Sequence, residues 1–417
     1  MDYICYNMNA YNLHIINTDK FKTITIDISF RRKIQKEEIT IRNLLKELMV
    51  NSSLNYPSER SLIIQTEKLY DLKLLSSNYR IGNYSILSFK SRFLNECYTE
   101  DGMNEESIKF VLDLIFKPRL DNDVNKCKKK IEKSILSLND NKLKYALLKL
   151  LQSTGDMPYS YNNYGEIADL EKITIEDIKK YYDSVIANDI VDVFVVGNVD
   201  NNQIKQIFKD YFKVTTFHKR ELSLVVSELP KVKKVNEIRE FDKVNQTQFT
   251  MLYSLSGITD YERKYVLPVY GELLGGSSNS ILFDMVREKN SYAYYVNALV
   301  KSYDNLMIIY SGIEKGNENE VSKLIKKSLS LVSKGKFDLN KLESSKKTLI
   351  SAIESSLDNP INIIDNYYAK ILVDALDINE KIEKIKNVSK EDIVSVSKKI
   401  DLHTVFLLEA SDEKNNN

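Results

Sequence analysis

Apolar and polar residues alternate along FKTITIDISF (21–30), where Ile24, Ile26, Ile28 and Phe30 recur at the period of a half-buried β-strand. TQFTMLYSL (247–255) repeats that pattern with Phe249, Met251 and Tyr253. A second pair of strand-like runs, NYSILSFKSRF (83–93) and DNLMIIYSGI (304–313), follows in the same order. A third pair, residues 173–200 and 388–412, opens on a helix start and closes on a short apolar strand, DVFVV or TVFLL. Thr174 and Ser389 are the N-cap candidates, each three residues before an acid, Asp177 and Asp392. The hydroxyl accepts a bond from an early helix N–H, and the acid sits at the positive end of the helix. The offset is 389 − 174 = 215 at the caps and 406 − 194 = 212 at the strand phenylalanines.

Matched elements in one order and at one spacing point to a duplication. Helical stretches at 122–152 and 317–357 fill the interiors of the repeats, and Leu339, Leu342, Leu349, Ile353 and Leu357 form a core-facing stripe. Grouped strands with helices between them predict an α+β chain of two tandem homologous domains. Each is expected to hold a mainly antiparallel, mixed sheet with helices packed on one face. The expected boundaries are 1–215 and 239–412, with a polar, Pro230-containing linker at 216–238 and a disordered tail at 413–417.

Composition narrows the functional classes. The chain has 417 residues, 60 Lys+Arg and 59 Asp+Glu, and a formal charge of +1 argues against the basic face that nucleic-acid binding needs. No apolar run approaches the ~18 residues of a membrane span, and the N-terminus lacks a signal-peptide pattern, so a cytoplasmic protein is expected. Cys5, Cys97 and Cys127 make neither a disulfide framework nor a thiolate metal site. The three histidines, His14, His218 and His403, are too dispersed for any helical zinc motif, which excludes a locally encoded histidine site.

The most informative segment is YGELLGGSSNSILFDMVREKNSYAYYVNA (270–298). It reads as a helix ending at Gly275-Gly276, a tight turn, and a second helix from Ser277 or Ser278 that buries Ile281, Leu282 and Met285. Arg287 closes that helix, and Tyr292, Tyr294 and Val296 alternate on the strand that follows. An arginine in a last helical turn ordinarily complements the helix dipole, and a strand tyrosine ordinarily packs. The glycine-serine turn carries no Lys-Ser/Thr, so it is a turn and cap rather than a phosphate loop.

LGGSSNSILFDMVREKNSYAY resembles the second-domain signature of the pitrilysin/insulinase (inverzincin) peptidases. PYSYNNYGEIADLEKITIEDIKKYY (158–182) and DVFVVGNVD (192–200) are similar to the end of that family's first domain. The family's catalytic helix carries H-x-x-E-H, two histidines on one face holding zinc and a glutamate activating water. In ITIRNLLKELMVNSS (39–53), aligning Leu44-Leu45 with the motif's apolar pair puts Asn43, Lys46 and Glu47 at the His, Glu and His positions. Asn43 and Glu47 are poor zinc ligands, a charged Lys46 cannot act as the base, and the sequence does not fix the third ligand position in the helix around Glu132. The resemblance implies that Arg287 and Tyr294 match the pair supplied by the non-zinc subunit of the two-chain bacterial branch. There they would bind the substrate carbonyl and stabilise the oxyanion.

What the resemblance implies is a non-catalytic subunit, inactive alone, with no cofactor of its own. Zinc is expected in an H-x-x-E-H partner subunit, and a peptide is the expected substrate. Nucleic acid and membrane partners are not expected, and a homodimer stays open. The alternative is a peptide-binding or scaffold pseudo-peptidase without a part in proteolysis.

Overall fold

A computed structural model describes residues 1–213, 227–373 and 377–411. The first half of the chain runs β1 (Asp2–Asn7), β2 (Asn12–Asn17), β3 (Thr23–Lys33), α1 (Ile39–Met49), α2 (Glu59–Lys68), β4 (Lys73–Ile81) and β5 (Tyr84–Leu94). It continues through α3 (Met103–Phe116), α4 (Val124–Asp140), α5 (Lys142–Gln152), α6 (Ile167–Lys172), α7 (Ile175–Asn188), β6 (Ile190–Gly197) and α8 (Asn201–Tyr211). The second half holds β7 (Asn236–Asp242), β8 (Thr247–Leu255), α9 (Leu267–Gly275), β9 (Ala293–Lys301) and β10 (Leu306–Ile313). Then come α10 (Glu318–Ser333), α11 (Leu339–Ser356), α12 (Pro360–Val373), α13 (Ile378–Lys386), α14 (Lys390–Ser397) and β11 (Ile400–Ala410).

The repeated patterns become equivalent elements: β3 with β8, β5 with β10, and the pairs α7–β6 and α14–β11. Both capping boxes form. Thr174 Oγ1 accepts from the Asp177 amide at 3.2 Å while Asp177 Oδ2 accepts from the Thr174 amide at 2.9 Å. Ser389 and Asp392 repeat this at 3.1 and 2.9 Å. The two long helical stretches are each broken in two. Asn141 caps α5 by accepting from the Lys144 amide at 3.0 Å, and Gly335, at φ +67°, falls between α10 and α11.

Two compact units result, and neither is a continuous piece of chain. Unit 1 comprises residues 1–136, 162–223 and 357–372, and unit 2 comprises 137–161, 224–356 and 373–417. Each stretch expected as one domain contains a segment that belongs to the other unit, 137–161 within 1–215 and 357–372 within 239–412. Of the stretch read as a linker, 216–226 lies outside the described residues, and 236–238 already open β7. The tail at 413–417 also lies outside them.

Unit 1 holds a six-stranded sheet in the order β1-β2-β6-β3-β5-β4, antiparallel except for the β2–β6 pair. Ile24, Ile26, Ile28 and Phe30 of β3 pack with Leu44, Leu45 and Leu48 of α1 in the main core. The intervening Thr25, Asp27, Ser29 and Arg31 are buried as well, so β3 is buried on both faces rather than half-buried. On the second face, Tyr368 of α12 meets Phe194 edge-on at 5.5 Å, and Asp365 takes Lys90 Nζ at 2.6 Å.

Unit 2 holds a five-stranded sheet, β7-β11-β8-β10-β9, with one parallel pair, β7–β11. Phe249, Met251 and Tyr253 pack with Leu273 and Leu274 of α9 on one face. Leu252, Ile308 and Phe406 pack with Ala146 and Leu150 of α5 on the other. In the stripe expected on α11, Leu342 is buried, but Leu339 opens the helix and is 52% exposed. Among the described residues, no helix is long and apolar enough to cross a membrane.

Truncating Leu150, fully buried between α5 and the sheet of unit 2, is expected to cost ~2–5 kcal/mol of stability. Urea denaturation of Leu150→Ala measures it. An unchanged midpoint would mean that α5 contributes nothing to holding this sheet.

Candidate functional site

The helix that carries the altered motif is fixed from beneath. Arg42, 1% exposed, donates to the Phe30 carbonyl at 2.7 Å and to Asp189 Oδ2 at 2.8 Å. Burial works against its charge, but the adjacent Asp189 and Tyr181 outweigh it, so the guanidinium pKa is raised. On the neighbouring face, Asn43 is buried, and its amide donates to the Ile39 and Asn163 carbonyls at 2.9 and 2.8 Å. Lys46 Nζ stands 3.1 Å from Glu47 Oε1. Lys130, reaching across from α4, takes Oε2 of the same carboxylate. Glu132, in the region expected to hold a third ligand, is exposed.

Such a donor set does not fit zinc. Asn43 presents a donating amide already spent on backbone carbonyls, and both oxygens of Glu47 are engaged by ammonium groups. A zinc ion requires three or four anionic or imidazole ligands instead. His14 is buried in unit 1 against Asp192 at 3.2 Å, and His403 is buried in unit 2 beside Thr404 at 2.8 Å. His218 lies outside the described residues. Among the described residues, no group of three or more His, Cys, Asp and Glu is arranged to hold a metal ion. Lys130 escaped the sequence reading because nothing in a run of lysines says which one faces another helix.

The second candidate pair lies wholly within unit 2. The glycine at the end of α9 is there for close approach, since a Cβ on Gly275 would come within 2.5 Å of the Ala298 amide on β9. Residues 276–280 form the turn, and helix resumes at 281, later than the expected start at Ser277 or Ser278. Leu282 and Val286 are the buried positions; Ile281 and Met285 are only half-buried, because the helix widens to a π-turn over Phe283–Glu288. Arg287 rides on that turn, exposed, with its guanidinium 4.8 Å from the centre of the Phe283 ring. Ser291 then adopts a left-handed conformation at φ 57°, which costs a non-glycine residue ~1–2 kcal/mol.

Tyr292 precedes the strand, contrary to the expected alternation of Tyr292, Tyr294 and Val296. On β9 the buried residues are Ala293 and Val296, while Tyr294 is 59% exposed. A β-bulge explains the change of face. Gly312 pairs with Tyr295 and Ile313 pairs with Ala293, so Tyr294 is the extra residue, and a bulge re-aims the side chain it inserts. The Tyr294 hydroxyl donates to Glu314 Oε1, also exposed, at 3.4 Å. Arg287 and Tyr294 therefore flank one turn and both present their donors to solvent.

The fold and the altered α1 face define a two-unit metallopeptidase-like chain. A family model described as the Peptidase M16 inactive domain matches residues 172–349. The probable inactive metalloprotease YmfF of Bacillus subtilis (strain 168) is 28% identical over 411 residues, 96% of each chain. The uncharacterized zinc protease YmxG of the same organism is 24% identical over 214 residues, 49% of each chain. A conserved protein from Enterococcus faecalis V583 superposes over 100% of both chains with a TM-score of 0.92 and 26% identity. The chain is thus similar to M16 peptidases, and over residues 172–349 to the domain described as inactive.

Burial pushes the Glu47 carboxyl up, but Lys130 and Lys46 outweigh it and hold its pKa below the ordinary 4.5. The unfolded chain therefore takes up this proton more readily. The stabilisation is present above the ordinary value and is lost as pH falls through the folded one. Glu47→Gln should lower stability at neutral pH by an amount that shrinks on acidification, measured by urea unfolding at several pH values. A constant difference down to ~pH 3 would show that the ion pairs contribute nothing.

Proposed function

We propose that this chain is the non-catalytic subunit of a two-chain zinc peptidase. Its Arg287 and Tyr294 bind the carbonyl of a peptide substrate, and a partner of the same family carries H-x-x-E-H and the zinc. The observation that carries the reading is a contrast within the chain. The degenerate zinc face is internally neutralised by Lys46 and Lys130. Arg287 and Tyr294 instead stand exposed on a π-turn and a β-bulge, their donors uncommitted to any buried structural role.

The chemistry asked of them is modest. A guanidinium and a phenol can donate to a carbonyl oxygen as it gains negative charge, and a donor aimed at that position lowers the barrier. Among the described residues the zinc-motif positions supply no base, since both oxygens of Glu47 are held by lysines. Peptide hydrolysis by the isolated chain is not expected, nor is stoichiometric zinc in it. As a protein that works with a partner inside the cell, it would be cytoplasmic.

The test is reconstitution. The chain is combined with an H-x-x-E-H relative, and cleavage of a fluorogenic peptide is followed. No activity is expected from this chain alone, and Arg287→Ala should lower kcat of the pair by ~10²–10³ without dissociating it. Tyr294→Phe should act in the same direction. Cleavage unchanged by either substitution would remove the assigned role and leave the scaffold reading, and one zinc per isolated chain would overturn the division of labour.

A further inference from the structure

Beside the altered face of α1, unit 1 has an open cleft of about 680 Å³, bounded by Glu47, Val50 and Asn51 on one side and by one face of α4 on the other. Four lysines line it, Lys126, Lys129, Lys130 and Lys133, against two acids, Glu47 and Glu59. Both acids are spoken for. Lys126 Nζ lies 2.6 Å from Glu59 Oε2, and Lys130 holds Glu47. Lys129 and Lys133 remain, both exposed, and neither makes an ion pair or hydrogen bond among the described residues. At i and i+4 they stand side by side on α4, where like charges repel. The Cys127 thiol in the same wall adds no negative charge, because burial pushes its pKa up to about 11.

The size and the kind of cation restrict the ligand. The cleft is far larger than one small anion, and it contains no arginine fork of the kind that reads a phosphate in fixed geometry. Two ammonium groups on flexible stems act as adjustable point charges, which suits carboxylates spaced along an extended chain. We propose that this cleft binds the acidic segment of a peptide, with Lys129 and Lys133 pairing with its carboxylates. The inference rests on the reading of the chain as a peptide-handling subunit and adds a substrate class to it.

The experiment uses the full chain without a partner. Fluorescence anisotropy follows a labelled glutamate-rich hexapeptide, its glutamine-substituted analogue, and inorganic phosphate as competitor. The acidic peptide should bind about ten-fold or more tightly than the analogue, weaken with added salt, and lose that margin in K129E/K133E. Both substitutions fall on exposed positions, and a K129Q/K133Q variant with an unshifted thermal transition provides a folded control with an intermediate loss. Equal binding of the two peptides, binding unchanged in both double variants, or displacement by phosphate at equal concentration would overturn the proposal. A neutral peptide cleaved by the reconstituted pair while no acidic peptide binds would sink the cleft alone. Acidic-peptide binding that persists while Arg287→Ala leaves cleavage untouched would sink the subunit role alone.

Discussion

A sheet buried on both faces needs cover on both faces, and this requirement governs how the chain is partitioned into units. The helices that follow each repeated strand set cover only one side. In unit 1 the second side meets α12, and in unit 2 it meets α5. Each covering helix lies in the opposite half of the sequence from the sheet it packs on. Duplicated halves that exchange a helix in this way cannot be divided into two continuous domains, whatever the composition of the stretch between them.

The two second faces use different chemistry. In unit 2 it is apolar, with Leu252, Ile308 and Phe406 against Ala146 and Leu150, so its cohesion is area removed from water. In unit 1 the same side carries His14, Asp27, Arg31 and Asp192, all under 4% exposed, and burial of such groups is tolerable only with partners. His14 finds Asp192, and Asp27 accepts from Ser88 at 2.7 Å and Ser29 at 3.1 Å. Burial still pushes the Asp27 carboxyl up to about 6, the largest influence on it, ahead of the opposing Lys90 charge. One half has thus kept a hydrophobic interface where the other has a polar one, although the strands beneath are equivalent.

Strand alternation, caps and the order of elements were readable because they are local: Ile24 to Phe30, Thr174 with Asp177 and Ser389 with Asp392 depend on residues within one turn or one strand. What was not readable depends on distant partners. Thr25, Asp27 and Ser29 look like a solvent face until a helix from residue 360 onward is laid over them. Tyr294 and Val296 look like one face until Gly312 and Ile313 pair two residues against three. Lys130 looks like any other lysine of its run until α4 brings it to Glu47. The runs that hold Asn43, Lys46, Glu47, Arg287 and Tyr294 could be picked out in the sequence because each is short and contiguous.

The fate of these positions follows from where they sit. Glu47 lies within a buried helix face, where an unpaired carboxylate would be costly, so cations from the chain pair with it. Lys46 alone reaches one oxygen; Lys130 completes the neutralisation, leaving no charge for an external metal to answer. Arg287 and Tyr294 are under no such pressure, because water solvates both side chains. Their exposure is instead produced by backbone irregularities that regular helix and strand would not create: a π-turn, a left-handed Ser291 and a bulge, all between Phe283 and Tyr295. Stability alone gives no reason to keep three such features together, and the role proposed for Arg287 and Tyr294 supplies one.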